Sequence, residues 1–112
     1  MLMNDNLRVA SLASDKPSVR ITTGQKVTIT KIVSGNNIDF MLYPSLTLIV
    51  KSLDGNQTYL QRPLVTYSSP YYRNMRVVEC DEKFNIGTGI IVEISNQGKN
   101  IDFNISVVYE ID

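Results

Sequence analysis

Ile101-Asp102-Phe103-Asn104-Ile105-Ser106-Val107-Val108-Tyr109-Glu110-Ile111, near the end of the 112-residue chain, alternates apolar and polar side chains with one exception, Val108. Successive side chains of a β-strand point to opposite faces, so this period of two describes a strand with one face in a core and one in water. The preceding segment repeats the scheme, with Ile86, Thr88, Ile90, Val92 and Ile94 in alternate positions. Between the two lies Ser95-Asn96-Gln97-Gly98-Lys99-Asn100, a polar stretch with a glycine suited to positive φ. The pair is expected to form the last hairpin of the fold.

Working back along the chain, the same period recurs. Val27, Ile29 and Val33 share one face of a segment whose other face carries Thr28 and Thr30. Ser34-Gly35-Asn36-Asn37 turns the chain toward Ile38, Phe40 and Leu42. Pro44 interrupts pairing, because proline lacks the N–H that a central strand donates. Leu46, Leu48 and Val50 follow and end at Asp54-Gly55, a strong hairpin signal. Thr58 to Gln61 returns, Pro63 interrupts again before the strand resumes from Leu64 to Tyr67, and Met75 to Cys80 forms another short strand. About eight strands at intervals of roughly 8–12 residues, with turn chemistry between them, predict an antiparallel β-sandwich, jelly-roll or immunoglobulin-like. The all-β domain is expected to span 17–112. Residues 1–16 scatter Leu2, Leu7, Val9 and Leu12 among polar residues without a firm period. They read as an arm that docks either on a partner or on its own domain.

Composition narrows the function. Eleven basic residues balance eleven acidic ones, so the net charge is zero. Duplex binding draws much of its affinity from phosphate neutralisation, and a balanced chain gives no general pull of that kind. Nucleic acid is therefore not an expected partner. No basic segment followed by a long apolar stretch marks a secretory signal, and the apolar runs are too short for a membrane helix. A cytoplasmic location is the expectation for such a chain outside a virus.

Residues for catalysis are scarce. Histidine is absent, which removes the commonest general base and metal ligand. The single cysteine, Cys80, allows neither an intrachain disulfide nor a thiolate metal cluster, and reads as a small buried strand residue. Glu79, Asp81 and Glu82 read as a solvated strand end. Gly87-Thr88-Gly89 lacks the third glycine and the helix of a dinucleotide fingerprint, so a bulge or a close backbone approach within a strand explains it better. The chain is expected to be no enzyme and to need no cofactor or metal.

Partner binding has better candidates. Tyr67-Ser68-Ser69-Pro70-Tyr71-Tyr72-Arg73 gathers three of the six tyrosines beside an arginine, the residue types that dominate interface energetics. Tyr67, Tyr71, Tyr72 and Arg73, with Leu7, Val9 and Leu12 of the arm, form the expected partner-binding set. Val108 and Ile91 interrupt the polar faces of the two C-terminal strands and could together form a patch that a second subunit covers.

The arm from Met1 to Lys16, the alternating hairpin from Ile86 to Ile111 and the Tyr71-Tyr72-Arg73 loop give a chain that resembles the small accessory and capsid decoration proteins of tailed-phage virions. That resemblance implies a structural role: copies assembled as trimers, bound to a protein shell and stabilising it, located in the virion. The alternative is a carbohydrate-binding or adhesin-like sandwich that reads a glycan with the tyrosine loop.

Overall fold

The computed structural model describes residues 2–9, 18–22, 26–34, 39–67, 76–85, 87–95 and 103–111. Eight strands run in the order β1 (Leu2–Val9), β2 (Ser18–Ile21), β3 (Val27–Ser34), β4 (Thr47–Ser52), β5 (Thr58–Pro63), β6 (Val77–Phe84), β7 (Ile90–Ser95) and β8 (Phe103–Ile111). They form two four-stranded antiparallel sheets, β1-β8-β3-β6 and β2-β7-β4-β5. The expected all-β sandwich is the observed architecture.

The alternation of the last strand holds. Ile105, Val107 and Tyr109 turn inward from β8 and meet Leu48 and Val50 of β4 and Val92 and Ile94 of β7 in one core. β8 and β7 are not a hairpin, however. They lie in different sheets, and residues 96–102 carry the chain from one to the other. Alternation fixes which face a strand buries, but it does not choose the neighbour. For the same reason Val108 and Ile91 make no joint patch, since they face outward from opposite sheets. Val108 is itself only 6% exposed, set in register between Lys31 of β3 and Asn4 of β1.

β3 departs from strict period two. Its register shifts between Ile29 and Lys31 against both β6 and β8. The extra residue flips the parity, so Val27, Ile29 and Ile32 enter the core, and Val33 does not. Thr30, at the bulge, buries its hydroxyl oxygen without a hydrogen-bond partner. On β6 the strand begins at Val77 and continues to Phe84, so Glu79, Asp81 and Glu82 lie within it and not at its end. Asp81 adopts φ +47, the left-handed conformation that aspartate tolerates better than most residues.

Two stretches expected as strands are single 3-10 turns. Phe40–Leu42 is capped by Asp39, whose carboxylate accepts from the Met41 N–H at 2.9 Å, and it drives Phe40 fully into the core. The Tyr43 carbonyl then accepts from the Leu46 N–H across Pro44, which holds the second position of that turn. Leu64–Tyr67 turns the chain out of β5 while burying Leu64. Pro63 ends β5 on the open edge of its sheet, where no donor is needed. The Asp54-Gly55 hairpin forms as expected, with Gly55 at φ +77. The Asp54 carboxyl lies below its usual range because Ser52 and the Asn56 N–H donate to it.

Residues 2–9, part of the segment expected to be an arm, form β1 along β8, with Leu7 opposite Ile105 and Val9 opposite Phe103. Gly87 and Gly89 lie in the turn before β7, not inside a strand. Gly89 is the close backbone approach: at φ +110, a Cβ there would stand 2.3 Å from the Ile21 carbonyl oxygen and 2.9 Å from Thr22 Cα. Around Gly87 a Cβ would meet nothing within 4 Å. Gly89→Ala should therefore lower the melting temperature by roughly 10 °C or more, from left-handed strain together with the clash against the Ile21 carbonyl, while Gly87→Ala leaves it nearly unchanged. Thermal denaturation of the two variants side by side checks this, and equal effects would refute the close approach.

Candidate functional site

Among the expected partner-binding residues, Tyr67 is the one whose side chain is described. Leu7 and Val9 are placed by their backbone in β1, and Tyr71, Tyr72, Arg73 and Leu12 lie outside the described residues. Tyr67 ends the second 3-10 turn, beside the open edge where β5 of one sheet faces β6 of the other. The turn carries it there because Arg62, on β5, holds the turn from within. Its Nε donates to Thr66 Oγ1 at 2.6 Å and its Nη2 to the Thr66 carbonyl at 3.0 Å. Thr66 Oγ1 in turn donates to the Pro63 carbonyl at 2.7 Å.

Across the edge stands Glu82 of β6. Tyr67 Oη donates to Glu82 Oε1 at 2.9 Å, and Arg62 Nη1 lies 3.6 Å from the same oxygen. The Arg62 guanidinium also stacks on the Tyr67 ring, with Cζ 3.9 Å from the centroid. One arginine, one tyrosine and one glutamate thus tie the two sheets together at their open edge. A cation over an aromatic face adds about 0.5–1 kcal/mol at a partly exposed site.

This arrangement is poor in reactive chemistry. Burial, and then the neighbouring Glu82 carboxylate, raise the Tyr67 hydroxyl far above its usual range. Cys80, beneath the cluster on β6, is pushed up to about 12, first by burial and then by the charge of Glu82. Its Sγ donates weakly to the Val78 carbonyl at 3.7 Å. A thiol so placed stays protonated at neutral pH and is no nucleophile. No group of three or more metal-ligating side chains occurs among the described residues. Sequence reasoning singled out Tyr67 for its residue type but missed Arg62 and Glu82. Nothing in a linear reading joins positions 62, 67 and 82 until the two sheet edges are known to face each other.

No protein-family model and no curated protein matches the chain. Among solved structures, the crystal structure of the Drosophila NLP-core matches over 100% of this chain and 98% of its own, with a TM-score of 0.58 and 16% identity. That structure gives insight into pentamer formation and histone binding by the NLP-core. The likeness is one of fold. It corrects the expectation of a capsid decoration protein in a phage virion, because the same two-sheet architecture, end to end, serves a protein of another kind. The glycan-reading alternative likewise receives no support from it. The physical reason is general: a small sandwich without catalytic residues is an architecture that hosts unrelated functions, so size and strand pattern cannot single one out.

Two outcomes follow from the cluster. Tyr67→Phe removes a hydrogen bond to a partly exposed carboxylate and should cost about 1–2 kcal/mol in urea unfolding; an unchanged midpoint would show that the cluster does not hold the edge. For Cys80, the thiol pKa in the fold exceeds its unfolded value of 9.0. The folded state then holds a proton the unfolded state loses, so stability is present in full below pH 9 and falls as pH rises toward 12. Cys80→Val should flatten that alkaline slope, and the native thiol should resist an aromatic disulfide reagent at pH 8 until denaturant is added.

Proposed function

We propose that this chain is a non-enzymatic, homo-oligomerising β-sandwich that works by binding protein. The observation that carries this reading is the whole-length fold match to the NLP-core, a protein known for pentamer formation and histone binding. The chemistry of the described residues agrees. The hydroxyl of Tyr67 is committed to Glu82, the thiol of Cys80 is held protonated, and the sequence has no histidine to activate either. Apolar contact area is present at one end of the sandwich, where the first 3-10 turn leaves Leu42 72% exposed and β6 begins with Val77 43% exposed.

Eleven basic against eleven acidic residues leave no net field to draw a strongly basic partner over distance. Assembly and protein binding carry across from the fold match, and histone binding does not. The form expected is a closed ring of a small number of copies, since a pentamer joins identical neighbours head to tail and must close on itself.

Sedimentation equilibrium of the full chain over a hundredfold range of concentration tests assembly. The expected result is a discrete mass several times that of the 12.6 kDa chain, with five copies the first value to look for. A single 12.6 kDa species throughout would overturn the proposal.

A further inference from the structure

At the end of the β3–β6 ladder, a recess of about 470 Å³ is lined by Lys26, Thr28, Lys83, Phe84 and Asn85. A volume of this order suits a small ligand or the head of a larger one. The ladder explains why these side chains converge. Thr28 is in register with Lys83 and Val27 with Phe84, so one further step sets Lys26 against Asn85. Side chains two apart on a strand share a face. Thr28, Lys83, Lys26 and Asn85 therefore stand as two adjacent cross-strand pairs on one face, with four side chains able to donate and no carboxylate among them. Lys26 and Lys83 are diagonal neighbours, with Cβ atoms roughly 7–8 Å apart, within reach of a common centre for side chains of this length. A two-residue offset of this kind already joins Lys51 Nζ to Glu93 Oε2 at 3.3 Å on the other sheet.

Both lysines are exposed, and neither has an ion-pair partner among the described residues. Two ammonium groups on one face repel each other unless an anion stands between them. Among the described residues the nearest acids on that face are Asp81, two residues before Lys83, and Glu110, which pairs with Thr28 from the far side of β3. Neither lines the recess. They bound the positive surface on its inner side, which disfavours an extended polyanion or an acidic peptide and favours one compact group of high charge.

We propose that this recess binds a phosphate monoester group, with Lys26 and Lys83 supplying charge and Thr28 and Asn85 supplying neutral donors. The group could be carried by a small metabolite or by a phosphorylated side chain of a protein partner. This site is independent of the oligomeric reading above, whose test reads mass and not ligand.

The test is a titration of the full-length, isotopically labelled protein, followed by amide chemical shifts, with inorganic phosphate and with a short phosphoserine peptide. Sodium chloride at matched ionic strength and a glutamate-rich peptide are the controls. Saturable shifts are expected at Thr28, Lys83 and Asn85 with both phosphate probes. Lys26→Gln and Lys83→Gln should each weaken binding about tenfold, as loss of one charge-assisted hydrogen bond implies, and Lys51→Gln on the other sheet should not. Tighter binding of the phosphopeptide than of phosphate supports a protein-borne ligand, and equal binding supports a small one. The proposal is overturned if chloride reproduces the shifts, if the glutamate peptide binds as tightly, or if both lysine variants bind phosphate like the unaltered protein. The variants' own spectra report whether each remains folded, and both positions are exposed, so loss of fold is separable from loss of binding.

Discussion

A β-sheet with one apolar face cannot stand in water alone, and in this chain the two four-stranded sheets cover each other. Ile29, Ile32, Ile105 and Val107 of one meet Leu48, Val50, Val92 and Ile94 of the other, all fully buried. Burying each such side chain contributes about 1.5–3 kcal/mol relative to exposure. Contact between the two inner faces is therefore the constraint to which the remainder conforms. Phe40 and Leu64 enter the same core from the two 3-10 turns, so even the segments that break the ladders are shaped by it. The bulge in β3 is explained in these terms: it delivers Ile32 to the core at the cost of an unpaired Thr30 hydroxyl.

Two packed sheets have open edges, and the chain treats its edges unequally. On one side β5 and β6 approach, and polar contacts bridge the gap: the Arg62 guanidinium, the Tyr67 hydroxyl and the Glu82 carboxylate. Each group there has a partner, which is what makes a polar closure tolerable in a half-buried place. On the other side β1 lies along β8 and β2 along β7. β6 is a free edge of its sheet, and its regularity is broken by the left-handed Asp81 and by the bulged register with β3. Irregularity of this kind discourages a foreign strand from pairing there. Assembly with other copies is better served by side-chain contact than by addition of a strand to β6.

The legible and illegible parts of the sequence divide along this line. Period two at Ile105, Val107 and Tyr109, at Leu48 and Val50, and at Val92 and Ile94 named the inward residues, because burial acts on each strand separately. The partner of a strand is a long-range choice, so two similar strands next to each other in sequence read as a hairpin although they lie in different sheets. Strict alternation also misplaced Val33, since one bulged residue reverses every side chain beyond it. Phe40 and Leu64 were legible as apolar but not as 3-10 turns, because a turn of three or four residues leaves too short a pattern to tell from a strand. At the candidate site the same rule holds. Tyr67 was legible by type, whereas Glu82, fifteen residues on, and Arg62 depend on which edges face. Lys26 and Lys83 stand further apart still, and only the β3–β6 register brings them together.

Net neutrality hides an ordered surface. Among the described residues the acids and bases pair where they serve the fold, Lys51 with Glu93 across β4 and β7 and Arg62 with Glu82 across the sheet edges. Both pairs are half-buried, where losing one partner leaves the other charge uncompensated, so their placement serves specificity as well as stability. Lys26 and Lys83 are the counterexample, two cations set on one face without an ion-pair partner among the described residues. Nothing in the packing of the sandwich requires lysine at either position, because both side chains point away from the core. Residues that the fold does not need, arranged so that they oppose one another, are where binding is to be sought in a protein whose interior chemistry is inert. On this chain that reasoning separates two ends of one ladder: an apolar end, with Val77 at the start of β6, suited to contact with protein, and a cationic end, at Lys83, suited to a compact anion.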